Sequence, residues 1–350
     1  MMKKWSRILT ALAVLVAALA CTKVEPEATR VITLRFSTGD MQTKAGSPTA
    51  ADGSAIYIDN DVPDLIILIV DNNPERGGNP NEDYGKVIQR YSGADNRDGT
   101  PQTVSATETS VSFDMIQGDY VVYAFANTEA LWNMTDGVNP YTYATLINIG
   151  TQASLEALEF VRPVSVAALN PVTPLDRIPL SGKANLSVSQ SGNGEVQVDL
   201  LRCVAKVTAK FINNTGNNLT LEDFEASFNN LFPDCGYVIK NGDVLPGDAQ
   251  DGDLTASKAS WTINQSAADS LSWLVFPSIG PYTCDISFSE NSNSHTYSDL
   301  PITDNRSVSI ARLLRNQHLH IETRISRGIT VSFNFEVSDW REKTASVTFD

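Results

Sequence analysis

The chain is dominated by short segments in which apolar and polar residues alternate. In the first of them, Ile32, Leu34 and Phe36 are separated by Thr33 and Arg35. Because successive side chains of a strand point to opposite faces, this period of two predicts a strand with one buried face. The same reasoning predicts strands over residues 31–36, 65–70, 86–91, 104–115, 120–126, 196–212, 270–276, 282–289, 318–325, 329–337 and 346–349.

The spacing of these segments predicts an all-β protein. Turn-forming residues separate the segments, and only 154–161 and 309–316 have a pattern that suits short helices. Many short strands joined by turns are typical of β-sandwiches, and a length of 350 residues suits two of them in tandem. We expect a signal segment over 1–20, an N-terminal sandwich over 21–197 and a C-terminal sandwich over 198–350.

The N-terminal segment has the organisation of a bacterial export signal. Lys3, Lys4 and Arg7 form a basic region, and residues 8–20 form an apolar run that is too short for a mature transmembrane helix. The run ends directly before Cys21, so we expect a lipoprotein in which acyl chains such as palmitate on Cys21 anchor the protein to the outer membrane. The alternative is an ordinary signal peptide that is cleaved near residue 20.

The charge of the chain excludes one class of partner. The formal net charge is -15, and removal of the basic signal segment would make it more negative still. A body this acidic repels phosphate backbones, so we expect no binding of nucleic acid.

Three cysteines follow the signal segment. Cys203 has the parity of the apolar residues around it and is predicted to be a small buried hydrophobic residue. Cys235 and Cys284 could form a disulfide, although their spacing does not require one.

The sequence contains no arrangement that is typical of an enzyme. His318 and His320 share one face of a predicted strand, and Glu322 has the same parity. A metal site needs three or four well-placed ligands, so a structural role is favoured for these side chains. Phosphate loops, nucleophile elbows and zinc-helix motifs are missing from the sequence. We therefore expect a protein without enzymatic activity, metal or cofactor.

Several segments together resemble a known family. They are the lipoprotein signal followed by residues 31–36, 42–45, 64–71, 118–127, 178–182, 201–207 and 337–340. In this order they resemble the fimbrillin-type subunits of the type V fimbriae of Bacteroidales. The resemblance implies two transthyretin-like Greek-key β-sandwiches, location on the cell surface in a fimbrium, a role in cell adhesion, and other fimbrial subunits as partners. It also leaves room for a host protein or glycan as receptor.

The resemblance implies that the first strand is removable. In such subunits a protease removes the first strand, and a strand from the next subunit fills the vacated groove. Here the removable strand would be 31–36, with Ile32, Leu34 and Phe36 as the side chains that fill the groove.

The incoming strand would come from the C-terminal segment. Residues 344–349 alternate in polarity, and the resemblance makes Val347 and Phe349 the side chains that would enter the groove of a neighbouring subunit. The ordinary alternative is that this segment is a strand of its own sandwich.

The segment after the first strand departs from the family pattern. Subunits processed by an arginine-specific protease carry an arginine there, whereas residues 37–55 contain Lys44 and no arginine. Either another protease acts near Lys44, or the first strand is kept. A subunit that keeps its first strand would be a lipid-held anchor at the base of the fimbria.

A different class of function also fits a surface lipoprotein. Exposed aromatic side chains at one end of a sandwich could bind a glycan, and Trp132, Tyr141 and Tyr143 are the candidates for this role.

Overall fold

The computed structural model describes residues 29–37, 65–92, 105–107, 110–126, 133–161, 179–189, 194–240, 245–247, 252–303, 308–326 and 330–339. Strands account for most of these residues, which confirms the predicted all-β class. The strands are β1 (Arg30–Ser37), β2 (Ile66–Asp71), β3 (Glu75–Arg76), β4 (Asn79–Pro80), β5 (Val87–Ser92), β6 (Ser105–Thr107), β7 (Ser110–Met115), β8 (Gly118–Ala126), β9 (Asn133–Thr135), β10 (Pro140–Tyr141), β11 (Glu159–Val161), β12 (Leu180–Val188), β13 (Gly194–Asp199), β14 (Leu201–Arg202), β15 (Ala205–Asn214), β16 (Leu219–Asn229), β17 (Cys235–Tyr237), β18 (Leu254–Ile263), β19 (Ala268–Val275), β20 (Ser278–Ile279), β21 (Thr283–Glu290), β22 (Asn293–Pro301), β23 (Arg312–Leu313), β24 (Gln317–Ser326) and β25 (Thr330–Asp339). Two short helices are α1 (Tyr143–Leu146) and α2 (Gln152–Glu156).

The first sandwich consists of two sheets that face each other. One sheet has the strand order β13-β1-β7-β6, and the other has the order β14-β12-β8-β2-β5. Alternate side chains from both sheets form one apolar core, to which β1, β2, β7, β8, β12 and β13 contribute. The strand β1 lies inside its sheet, between β13 and β7.

The strand β2 is buried on both faces, as its continuous apolar run predicts. Ile67 and Ile69 belong to the core between the two sheets, whereas Ile66, Leu68 and Val70 belong to a second core on the outer face. The second core includes side chains from β9, β11, α2 and the segment between the helices, which therefore cover the outer face of this sheet. A strand covered on both sides has no polar face, which explains the missing alternation.

The second sandwich has the sheets β19-β15-β24-β25 and β18-β16-β21-β22. Its core contains a cluster of three rings, in which Phe211, Phe224 and Trp261 meet edge to face with centroids 4.9–5.2 Å apart. Such contacts add stability beyond the area that they bury. The strand β25 forms one edge of this sandwich and pairs along its length with β24.

The two sandwiches are joined by more than the connecting chain. The strand β17 pairs with β11, so a segment from the second half of the sequence completes a small sheet with the order β10-β9-β11-β17. Residue 197, the predicted boundary, lies inside β13, and the first strand of the second sandwich starts only at Ala205. The division into two domains stays a prediction, and a break at 197 would divide β13 between them.

Four local predictions need correction. The predicted strand 196–212 is three strands, β13, β14 and β15, and 104–115 is two. The helix predicted over 154–161 is only the single turn of α2, followed by β11. The helix predicted over 309–316 is absent, since these described residues form β23 and a turn that contains Asn316 at φ 60°. Among the residues that the structure describes, no helix has the length and apolar character needed to cross a bilayer.

Candidate strand-exchange groove around β1

The strand β1 is hydrogen-bonded on both sides over most of its length. It runs antiparallel to β7, with Thr33 opposite Ser112, and parallel to β13, with Leu34 opposite Val196. A strand in this position forms backbone hydrogen bonds with both of its neighbours. Its removal would leave a gap in the middle of the sheet, with unpaired backbone groups on both walls.

The buried face of β1 carries the three side chains predicted to fill the groove. Ile32, Leu34 and Phe36 are 1%, 0% and 8% exposed and belong to the core of the first sandwich. Burial of a side chain of this size stabilises a fold by about 1.5–3 kcal/mol. The structure therefore brings the three residues together on one apolar surface.

The outer face of β1 makes polar contacts with both walls. The hydroxyl oxygens of Thr33 and Ser112 lie 3.0 Å apart. Arg35 forms an ion pair with Glu195 on β13, but both side chains are more than half exposed. Exposed ion pairs contribute little to stability, so the apolar face holds β1 more strongly than the polar face.

Cys21, Lys44, Val347 and Phe349 lie outside the described residues. In the sequence, Cys21 precedes β1 and Lys44 lies between β1 and β2. Val347 and Phe349 follow β25.

Of the three aromatic residues considered for glycan binding, only the side chain of Tyr141 is among the described ones. Trp132 and the side chain of Tyr143 lie outside the described parts. The hydroxyl of Tyr141 donates a hydrogen bond to Asp136, 3.0 Å away, within a tight hairpin. Burial raises the pKa of Tyr141, and the hydrogen bond to Asp136 raises it further.

The side chains of His318 and His320 contact neighbouring side chains, and the described cysteines are buried. The rings of His318 and His320 lie against each other with centroids 3.6 Å apart and an angle of 37° between their planes, and the Nε2 atom of His318 lies 2.9 Å from the hydroxyl of Thr208. In the described parts of the chain, no three His, Cys, Asp or Glu side chains are grouped to hold a metal ion. Cys235 and Cys284 are both buried free thiols, so they form no disulfide.

Cys203 is buried as predicted, in the junction between the sandwiches. Burial raises the pKa of its thiol, although the charge of Arg315 opposes this. A buried thiol of this kind is unreactive.

One contact at the junction had no signal in the sequence. Arg315 is 6% exposed and donates hydrogen bonds to backbone oxygens of the first sandwich and of the second half of the chain. It lines a cavity of about 540 Å³ together with Ser181, Lys183 and Lys240. Its acceptors come from distant parts of the chain, so only the folded structure brings them together.

Solved structures that are similar to this chain include fimbrial and cell adhesion proteins of Bacteroidales. A candidate cell adhesion protein from Parabacteroides distasonis matches with a TM-score of 0.50 and 9% identity, over 90% of this chain and 98% of that chain. The tip fimbrial protein Mfa3 from Porphyromonas gingivalis matches with a TM-score of 0.49 and 13% identity, over 90% of this chain and 100% of that chain. A fimbrial assembly protein from Parabacteroides distasonis has a TM-score of 0.42 and 13% identity, over 89% and 99% of the two chains.

The match to the Parabacteroides distasonis cell adhesion protein shows that the two chains share an all-β fold. The matches are to fimbrial and adhesion proteins of Bacteroidales, over about nine tenths of the chain. The resemblance that the sequence motifs indicated is thus confirmed as a structural match. No protein-family profile and no curated protein sequence matches the chain.

Proposed function

We propose that the protein is a structural subunit of a cell-surface fimbria that assembles by strand exchange and contributes to adhesion. The observation that carries this proposal is the position of β1. It is the first described strand, it lies inside a sheet rather than at an edge, and its three apolar side chains enter the core.

The chemistry of such a strand favours exchange. Loss of β1 would expose an apolar groove and the ladder groups of β7 and β13, which is a costly state in water. A strand from another molecule would satisfy both at once by β-augmentation. A subunit that accepts one strand and donates another makes a heterologous contact, and repetition of that contact produces an open filament.

The donor and processing positions complete the proposal. The segment 344–349, with Val347 and Phe349, follows the edge strand β25 after a few residues and would reach out as the donor. Cleavage near Lys44 would fall between β1 and β2 and would separate β1 from the rest of the chain. Acyl chains on Cys21 would hold the unprocessed chain at the outer membrane.

The close variant is an anchor subunit at the base of the fimbria. It is favoured by one observation, the absence of arginine between residues 37 and 55. A subunit that keeps β1 cannot accept a donor strand, but its C-terminal segment could still be donated to the subunit above it.

The N-terminus and the polymeric state of the native protein test this proposal. Mass spectrometry of protein extracted from the cell surface would be run beside an unheated denaturing gel. A mature N-terminus between 37 and 55, with a ladder of polymers, would support a strand-exchange subunit. An acylated Cys21 on a chain that co-migrates with other fimbrial subunits would support the anchor. An intact acylated monomer without fimbrial partners would refute both.

A further inference from the structure

The strand β13 loses its strand partner when β1 leaves. Within the described part of the chain, β13 is the edge strand of its sheet and pairs only with β1. The other wall of the groove, β7, remains paired with β6. An incoming strand can replace β1 only if β13 keeps its place, so the structure must hold β13 by contacts outside its own sheet.

The C-terminal end of β13 has such a contact with the opposite sheet. Gly182 of β12 lies so close to it that a Cβ atom at this position would be 2.4 Å from the carbonyl oxygen of Asp199. The side chain of Val198 lies in the core and is 0% exposed. The contacts of Val198 and Asp199 with Gly182 do not involve β1, so they do not require its presence.

The residues directly after β13 are held by Arg315 of the second sandwich. The Nη2 atom donates to the carbonyl oxygen of Leu201 at 2.7 Å, and Nε donates to that of Arg202 at 3.0 Å. The same Nη2 atom donates to the carbonyl and hydroxyl oxygens of Ser181 on β12, at 3.1 and 2.9 Å.

The rest of the guanidinium is bound to the second half of the chain. Nη1 donates to the carbonyl oxygens of Val238 and Ile239, at 3.1 and 3.4 Å. All three nitrogens of the Arg315 guanidinium therefore donate hydrogen bonds, and their acceptors among the described residues are neutral oxygens and, at 3.7 Å, the Sγ atom of Cys203. A rigid planar fork can hold this set of oxygens, whereas a lysine ammonium cannot. Arg315 thereby fixes β12 and β14 to each other and to the second sandwich.

From this geometry we infer that Arg315 is a positioning residue of the acceptor groove. It holds the end of β13 in register while β1 is absent, so that the groove stays open and ready for an incoming strand. The inference rests on the proposed strand exchange and adds to it a role for the second sandwich, whose described strands all lie outside the groove.

A nicked full-length protein tests the inference. A specific protease site placed in the segment 38–64 allows the chain to be cut while all its residues stay present. A fluorescent peptide with the sequence of residues 30–37 then competes for the groove. We expect Arg315→Met to weaken peptide binding by about tenfold or more, because hydrogen bonds from a charged donor are lost. Arg315→Lys should weaken peptide binding nearly as much, because an ammonium group keeps the charge but cannot reproduce the donor geometry of the planar guanidinium.

Two further measurements separate positioning from general loss of structure. Arg324→Met removes an exposed arginine that pairs with Glu322 on the same sandwich, and it should leave peptide binding unchanged. Hydrogen exchange in the peptide-free nicked protein should increase over residues 194–202 in Arg315→Met, but not over 110–115. If Arg315→Met does not fold, Ser181→Ala removes one acceptor and should give a smaller change in the same direction.

The outcomes distinguish the two proposals. Wild-type peptide affinity and unchanged exchange over 194–202 in a folded Arg315 variant would overturn the positioning role and leave strand exchange intact. Failure of the nicked wild-type protein to take up the peptide at all would overturn strand exchange itself, and the positioning role with it.

Discussion

Thr33 on β1 and Ser112 on β7 lie directly opposite each other in the antiparallel pairing of the two strands, with their hydroxyl oxygens 3.0 Å apart. The two side chains lie on the face of the sheet opposite to Leu34, outside the apolar core. A covalent link between them would therefore join β1 to its neighbour without disturbing the residues that fill the groove.

The pair Thr33→Cys with Ser112→Cys should block fimbrial assembly when it is oxidised. Directly opposite residues in an antiparallel pair have Cβ atoms close enough for a disulfide. The linked β1 cannot leave, so the groove cannot accept a donor. Unheated gels should show monomers under oxidising conditions and polymers after reduction.

A matched pair elsewhere provides the control for this experiment. Thr220 and Thr262 face each other in the same way in the second sandwich, with hydroxyl oxygens 3.0 Å apart. Thr220→Cys with Thr262→Cys should leave assembly unchanged in either redox state. Polymers that form equally well with β1 locked would show that β1 stays in place during assembly.

Truncation of Leu34 should destabilise the first sandwich strongly. Leu34 is fully buried, and replacement of a buried leucine by alanine costs about 2–5 kcal/mol. Val31→Ala, at a position that is 43% exposed, should cost much less. Urea unfolding of the intact monomer measures both values. Equal effects would mean that the inner face of β1 contributes little to the fold.

The sequence indicated β1 and β2 because their patterns are simple. It did not indicate β16, and the structure shows why. Leu219 and Leu221 have one parity, whereas Phe224, Ala226 and Phe228 have the other. The parity changes at Asp223, which adopts φ 51° within an irregularity of the pairing with β21. Such a bulge reverses the face that each side chain meets, so a fixed period of two fails across it.

The candidate groove was predictable only in part. Alternation places Ile32, Leu34 and Phe36 on one face, but it cannot show that β1 is an inner strand or that β13 runs parallel to it. These features depend on pairing between residues more than 150 positions apart. Arg315 is a further example, because a single arginine whose acceptors are mostly backbone oxygens leaves no pattern in the sequence.

The stability of the second sandwich should depend on pH through His320. Desolvation lowers the pKa of His320 below its ordinary value of 6.5; the carboxylate of Glu336 opposes this, and the ammonium groups of Lys206 and Lys210 reinforce it. The unfolded chain therefore takes up the proton more readily than the folded chain. Stability should be greatest above about pH 6.5 and should fall as the pH is lowered from there through the pKa of the folded state.

Urea unfolding between about pH 8 and pH 5 checks this prediction. His320→Asn removes the titrating group and should flatten the change over this range, while the other charged side chains remain. A variant with the same pH dependence as the wild type would show that other groups cause it.

The direction of β1 also determines how a donor must enter. A replacement strand with the same pairing runs parallel to β13 and antiparallel to β7. In that direction Ala345, Val347 and Phe349 of another copy would occupy the positions of Ile32, Leu34 and Phe36. Two of the three are smaller than the residues that they would replace, so the chain's own C-terminal segment would leave part of the groove unfilled.

Enlargement of the donor should therefore stabilise a polymer of this chain. Ala345→Ile with Val347→Leu adds four carbon atoms, and each buried methylene contributes about 0.8 kcal/mol, so dissociation should slow at least about tenfold. Phe349→Asp should abolish polymers, because it would bury a charge in the apolar groove. Thr348→Ala changes the outward face and serves as the control. The rate at which polymers dissociate in denaturant gives all three results. If enlargement has no effect and Phe349→Asp still assembles, the donor strand is a different segment, and the register deduced from β1 does not apply to this C-terminal segment.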